Sequence, residues 1–239
     1  MVAGKMNKLN VLYEDNHIIV VEKSPNILSQ SDITGDEDLL TIVKKYIKDK
    51  YNKPGNVYVG LVHRLDRMVG GIMVFAKTSK AAKRLNEQIK NNVIKKTYVA
   101  VLDGILSKKE GTLVDYLYKD EKLRISKVVD KNFKGAKKAE LNYEVIGYYN
   151  DRTIVKINLI TGRYNQIRVQ FKNIGYPLYG DQKYGNKNNE LIRLYAYKLE
   201  LLHPITKEVL TYKLIPSWEE LKNETIIHRL WWCNTRYYD

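Results

Sequence analysis

Apolar positions along the chain follow two spacings, and the switches between them mark the elements. Val11-Leu-Tyr, a polar Glu14-Asp-Asn turn and Ile18-Ile-Val-Val predict strand, turn and strand over residues 10–22. Residues 36–50 change to helical spacing, with acids crowding the first turn and Leu39, Val43, Tyr46 and Ile47 on one face. Asn52-Lys-Pro-Gly-Asn breaks the chain. Strands are predicted over 57–63 and 72–76, with a charged connection between them. A second helix then starts at Ser79, read as its N-cap, with Ala82, Leu85 and Ile89 inward.

Beyond it the pattern is mainly strand, over 94–102, 139–147, 153–160, 193–202 and 208–214. A short helix over 166–173 places Ile167, Phe171 and Ile174 on one face. Ser217-Trp-Glu-Glu has capping-box spacing and predicts a last helix. Strands following one another with few helices between them indicate an α+β fold, a mainly antiparallel mixed sheet with flanking helices. Regular β-α alternation is lacking, which disfavours a doubly wound parallel fold. No linker divides the 239 residues, so a single domain is expected.

Composition narrows the chemistry. A hydrophobic fraction of 44 % supports a real core. The single Cys233 excludes a disulfide framework, and His17, His63, His203 and His228 lack metal-ligand spacing. With no signal-peptide stretch and no apolar run near 18 residues, the expectation is a soluble, cytoplasmic protein with no membrane partner. The formal charge is +14. Codon bias toward Lys, Asn, Ile and Tyr explains it as well as a polyanionic partner does.

Three segments concentrate functional residue types. Leu61-Val-His-Arg-Leu-Asp-Arg-Met-Val-Gly-Gly sets His63, Arg64, Asp66 and Arg67 in a connection between two apolar strands, where site residues tend to lie. On composition alone, an acid between arginines is more often an ordinary surface ion pair. Thr161-Gly-Arg-Tyr-Asn-Gln-Ile-Arg opens the short helix, whose N-terminus would attract an anion, and Arg168 could face inward. Solvent-facing arginines on a capped helix are the alternative. Gly175-Tyr-Pro-Leu-Tyr-Gly-Asp-Gln-Lys-Tyr-Gly is a turn-rich loop whose tyrosines could also stack on bases.

In this order the segments resemble the RluA-type RNA pseudouridine synthase family. His63-Arg64-Leu65-Asp66 with Gly71 through Lys77 is similar to its catalytic motif. Lys96-Thr-Tyr98 running to Gly104 is similar to its Lys-x-Tyr strand. Thr161-Gly162-Arg163 with Gln166-Ile167-Arg168, the complete loop from Gly175 to Gly185, and His203-Pro204 after Ala196 follow in register. The opening Val11 to Lys23 also fits, so the resemblance spans about 11–216. Two departures stand out. Val69-Gly70 replaces the usual hydroxyl residues after the variable pair, so any hydrogen bonds they make must come from elsewhere. Asn165 replaces a histidine.

The resemblance implies the pseudouridine synthase fold with its catalytic cleft on the sheet. It implies an isomerase acting on uridines of ribosomal or transfer RNA, needing no cofactor and no metal. Asp66 takes the role of catalytic carboxylate, Tyr98 stacks on the target base, and Arg168 keeps Asp66 ionised. His63, Arg64, Arg67 and Gln166 are expected to bind substrate, Arg64 filling the space left by the flipped nucleotide. Attack on the sugar, attack on the base and promotion of elimination all fit Asp66. A single catalytic domain over 1–239 is expected, without the separate N-terminal RNA-binding domain of many relatives, monomeric and without an obligate protein partner. Residues 217–239, with Trp231-Trp232 and Tyr237-Tyr238, would form a packing helix and tail. A non-catalytic RNA-binding or ribosome-associated module is the alternative, but would not need Asp66, Tyr98 and Arg168 together. A glycoside hydrolase would need a matched acid pair.

Overall fold

The structure, a computed structural model, describes residues 9–232. Cys233, Tyr237 and Tyr238 lie outside the described residues. In chain order the elements are strands β1 (Val11–Glu14) and β2 (Ile18–Lys23), helix α1 (Leu39–Lys50), strands β3 (Gly60–Leu61) and β4 (Gly70–Ala76), and helix α2 (Ser79–Lys90). Then come strands β5 (Lys95–Asp103), β6 (Glu110–Asp120), β7 (Ile125–Val129), β8 (Lys137–Tyr149) and β9 (Arg152–Leu159), and helix α3 (Gln166–Asn173). Strands β10 (Leu194–Leu202) and β11 (Val209–Lys213), a 3-10 turn (Glu219–Leu221) and helix α4 (Glu224–Trp232) complete the chain. This is the α+β class expected, with mainly antiparallel pairing and four flanking helices.

The described residues divide into two compact units, one of the chain up to residue 94 with 200–212, the other of 95–199 with the chain from 213 onward. In the first, β2 lies between β1 and β4, antiparallel to both, in register from Ile18↔Ala76 to Lys23↔Gly71. Residues 18–21 and 72–76 are at most 1 % exposed, so these strands are covered on both faces and read as continuous apolar runs. Helix α1 buries Leu39, Val43 and Ile47, and α2 buries Ala81, Ala82 and Leu85.

The helix starts correct the sequence reading. α1 begins at Leu39, later than residue 36, because Asp38 caps it: Oδ1 accepts from Thr41 N and Oδ2 from Thr41 Oγ1. Thr78, not Ser79, caps α2, its Oγ1 accepting from Ala81 N. The strand expected over 57–63 shrinks to Gly60–Leu61.

In the second unit the strand order is β10-β5-β9-β8-β6-β7. Val99, Val101, Ile146, Ile154, Tyr195 and Tyr197 form a core with Leu221, Ile226 and Leu230, so α4 packs as expected. Gly147 makes room for it: a Cβ there would lie 2.8 Å from the Ile226 side chain. The expected capping box does not form. Glu220, the residue that would reach back, is buried against Arg193 (Nε to Oε1 3.1 Å). A 3-10 turn follows Trp218 instead. The last helix starts only at Glu224, after Asn223 Oδ1 accepts from Thr225 N.

Candidate active site

The first unit carries His63, Arg64, Asp66 and Arg67 in one short connection between β3 and β4. Side chains alternate along it: His63 and Leu65 are buried, Arg64 is exposed and Asp66 half-buried. Three anchors hold the main chain. β3 pairs with β4 over two residues only, and then the His63 ring takes over, Nε2 accepting from Val74 N at 3.2 Å. Ser29 Oγ donates to Leu65 O (2.8 Å) and accepts from Leu65 N (3.1 Å). Lys23, wholly buried, donates from Nζ to Ser24 O, Ile27 O and Arg67 O at 3.1, 2.7 and 2.9 Å.

An ammonium has three protons to give, and here three carbonyls accept them. Burial nevertheless holds the Lys23 pKa down to about 7, against the upward pull of the Asp66 carboxylate and with Arg67 acting the same way as burial. Asp66 therefore sits between two gripped residues, Leu65 and Arg67, beside a buried cation. Its own carbonyl closes the turn by accepting from Val69 N at 3.0 Å. Arg67 points elsewhere, to Asp36 (2.6 Å) and Asn26.

Val69 is buried, and the hydroxyl that bonds the loop comes from Ser29, outside the motif. Neither Lys23 nor Ser29 was among the expected site residues. Lys23 lay in the opening segment, but no sequence signal marks its burial.

The second unit carries Tyr98 on β5 and Gln166 and Arg168 on α3. Arg168 is buried and forks onto Asp181, Nε to Oδ2 at 2.8 Å and Nη2 to Oδ1 at 2.6 Å. Burial alone would raise the Asp181 pKa. The guanidinium and the backbone N–H groups of Lys183 and Tyr184 outweigh it and hold the carboxyl below the usual range. Gly180 permits this loop: its φ is +74°, and a Cβ would meet Leu191 O at 2.3 Å. Tyr184 lies under the Arg168 guanidinium at 5.2 Å, and its hydroxyl accepts from Asn165 Nδ2 and Ser126 N. Asn165 has φ +52°, a conformation that asparagine tolerates well, and its amide fills a polar slot beside Tyr184.

Gln166, expected at the substrate, turns inward. Its Oε1 accepts from Thr161 Oγ1 and Arg163 N, and Nε2 donates to Glu140 O, so it shapes the Thr161–Gly162–Arg163 turn. Tyr98 is 6 % exposed, opposite Ile157 on β9. Lys96 shares its face two residues earlier, and burial lowers its pKa. Lys96 and Asp181 belonged to quoted motifs, but spacing alone did not give them roles. Among the described residues no group of three or more His, Cys, Asp or Glu could hold a metal ion. Among them, too, no helix is long and apolar enough to cross a membrane.

Comparison with known proteins shows which family carries motif-bearing turns of this kind. The model of a family described as RNA pseudouridylate synthase matches residues 17–173. The uncharacterized RNA pseudouridine synthase YjbO of Bacillus subtilis is 35 % identical over 203 residues, 84 % of this chain and 70 % of that protein. The tRNA pseudouridine synthase C of Haemophilus influenzae is 29 % identical over 242 residues, 90 % and 97 % of the two chains. Human RNA pseudouridylate synthase domain containing 4 shares the fold, with a TM-score of 0.73 at 20 % identity over 92 % of each chain. The chain belongs to the RNA pseudouridylate synthase family, of the RluA type, and is an isomerase.

Proposed function

We propose that the enzyme converts specific uridines of ribosomal or transfer RNA to pseudouridine, in the cytoplasm, with Asp66 as the catalytic carboxylate. Relatives named for each RNA support both substrates: the Haemophilus influenzae transfer RNA enzyme, and a ribosomal large subunit pseudouridine synthase D of Borreliella burgdorferi, 29 % identical over 80 % of this chain. The observation that carries the reading is the grip on the Asp66 turn. His63, Ser29 and Lys23 fix its backbone while the side chains of Arg64 and Asp66 alternate outward.

The reaction breaks the bond between uracil N1 and ribose C1′, turns the base, and joins C5 to the same C1′. The proton lost from C5 balances the one gained at N1. Nothing is oxidised and no group enters. An ionised carboxylate at the sugar meets the demand for a nucleophile or charge partner. Tyr98 stacks on the base, and Arg168, set by Asp181, supplies positive charge. Arg64 occupies the place of the extruded nucleotide. Arg67 binds substrate from the rim of the turn. His63 and Gln166 act one step back, as positioning residues.

The test is pseudouridine mapping in total RNA from cells with and without the gene, joined to purified protein acting with a chelator and no added nucleotide. One or a few uridines should depend on the gene and be restored by the protein. An unchanged map with no activity on bulk RNA overturns the reading.

A further inference from the structure

The chain's charge is unevenly placed. Residues 119–138 hold eight Lys or Arg and three acids, so 20 residues carry +5 of the total +14. They form the end of β6, the hairpin turn, β7, the loop to β8 and the first two residues of β8. β8 begins with Lys137 opposite Leu117, so the hairpin from Tyr118 to Lys127 runs on past the strand on that side. Lys119, Lys127 and Lys138 have acids near them. Among the described residues Lys122, Arg124, Lys131, Lys134 and Lys137 are exposed with no carboxylate in ion-pair range.

Aromatic groups are interleaved with these cations. Phe133 is 48 % exposed and packs edge-on against Tyr118 at 5.0 Å, while Lys119 and Lys183 lie 4.9 and 5.6 Å from the Tyr164 ring. The hairpin is also tied to the turn before α3. Ser126 Oγ donates to Tyr164 O, and Ser126 N donates to the Tyr184 hydroxyl that also receives Asn165. Exposed cations on the same hairpin and loop as the exposed Phe133 ring suit a chain of phosphates and bases better than an acidic protein, which would offer the ring nothing to stack on.

We propose that the β6–β7 hairpin tip and the loop to β8 form an RNA-docking surface, binding the phosphodiester backbone of the substrate RNA, with Phe133 as a base platform. This rests on the RNA-synthase reading and adds to it the surface that grips the RNA outside the catalytic residues.

The test compares two variants of the full chain. One is Lys122→Gln/Arg124→Gln/Lys131→Gln/Lys134→Gln. The other removes the same charge from α1 and α2, as Lys44→Gln/Lys48→Gln/Lys83→Gln/Lys90→Gln. Affinity for bulk transfer and ribosomal RNA is measured against salt, with kcat and KM alongside. The hairpin variant should bind about a hundredfold more weakly at moderate salt and lose roughly three units of log–log salt slope, while the helix variant keeps most of both. KM should rise and kcat at saturating RNA hold within about threefold. Restoring the three lysine positions as Arg, with Arg124 intact, should recover binding. Equal losses in the two variants would mean a diffuse field, and overturn the surface. Competition by polyglutamate as strong as by unlabelled RNA would overturn its assignment to RNA. A wild-type chain that binds RNA through the hairpin yet forms no pseudouridine ends the proposed function and keeps the hairpin. One that isomerises while the hairpin variant binds unchanged does the reverse.

Discussion

The turn carrying Asp66 and the turn leading to Arg168 both hold a charged residue beside a buried charge of opposite sign, by opposite means. Around Asp66 the anchors grip the main chain on either side: a hydroxyl on Leu65, an ammonium on the Arg67 carbonyl, an imidazole on β4. Around Arg168 the charges grip each other, the guanidinium forked onto an Asp181 that is 0 % exposed. The first arrangement gains rigidity from side chains bonded to the main chain and directs a carboxylate outward. The second uses a carboxylate as structure. The same change, acid to amide, should therefore have opposite consequences in the two places.

Asp66→Asn is the strongest way to test that contrast. Pseudouridine formation should fall by about a thousandfold or more, because the amide lacks both charge and nucleophilicity. RNA affinity should survive, and stability should move by no more than about 1 kcal/mol, since Lys23 retains its three carbonyl acceptors. Product assay, binding and urea unfolding on one preparation read all three. Undiminished product removes Asp66 from the chemistry.

Asp181→Asn reverses the pattern. Leaving a buried guanidinium without its carboxylate costs about 3–5 kcal/mol, visible in the urea midpoint. Activity falls only with the folded fraction and with misplacement of Arg168. A variant as stable as the parent would show that water reaches the pair and that the two turns are less different than their geometry indicates.

Much of this contrast was hidden in the linear chain, for physical reasons. Runs covered on both faces, such as Ile18–Val21 and Ile72–Ala76, announce themselves, and the helix Gln166–Asn173 was placed to the residue because Ile167 and Phe171 repeat at one turn. β6 and β7 escaped because most of their residues are part-exposed on both faces, with Leu117 and Ser126 alone fully covered. Ser217 looked like a cap until Arg193, 27 residues before Glu220, claimed that acid. The motifs named Asp66, Tyr98 and Arg168 through resemblance. The residues that hold them lie elsewhere: Lys23 is 44 positions from Arg67, and Ser29 is 36 from Leu65. No local pattern encodes a contact of that range.

Lys23→Met sharpens the first half of the comparison. It relieves the burial of an ammonium but leaves three carbonyls without donors, for a net loss of about 1–3 kcal/mol and a looser Asp66 turn. The pH dependence separates this from simple packing. Lys23 has a pKa near 7 when folded and an ordinary lysine value of 10.5 when unfolded, so between those limits the unfolded chain binds more protons. Wild-type stability should therefore rise with pH across that window relative to Lys23→Met, and the difference should be flat below it. Parallel unfolding curves from pH 6 to pH 10 would mean that the carbonyls hold the lysine protonated throughout.

Ser29→Ala is the mildest probe, and it isolates the hydroxyl that bonds the loop at Leu65 from outside the motif. Removing Oγ leaves the Leu65 N–H and C=O without that partner in a buried place, which should cost about 1 kcal/mol. Leu65 adjoins Asp66, so the loss should appear in kcat with KM and RNA affinity unchanged, a split that a general loss of stability would not give. Val69→Thr in the Ser29→Ala background puts a hydroxyl at the position where the resemblance to the family leads one to expect it. If a hydroxyl near the turn is all that is required, that second change should recover part of kcat. If it recovers none while Ser29→Thr does, the bond must come from beneath the turn, and Ser29 is bound to its own position in this chain.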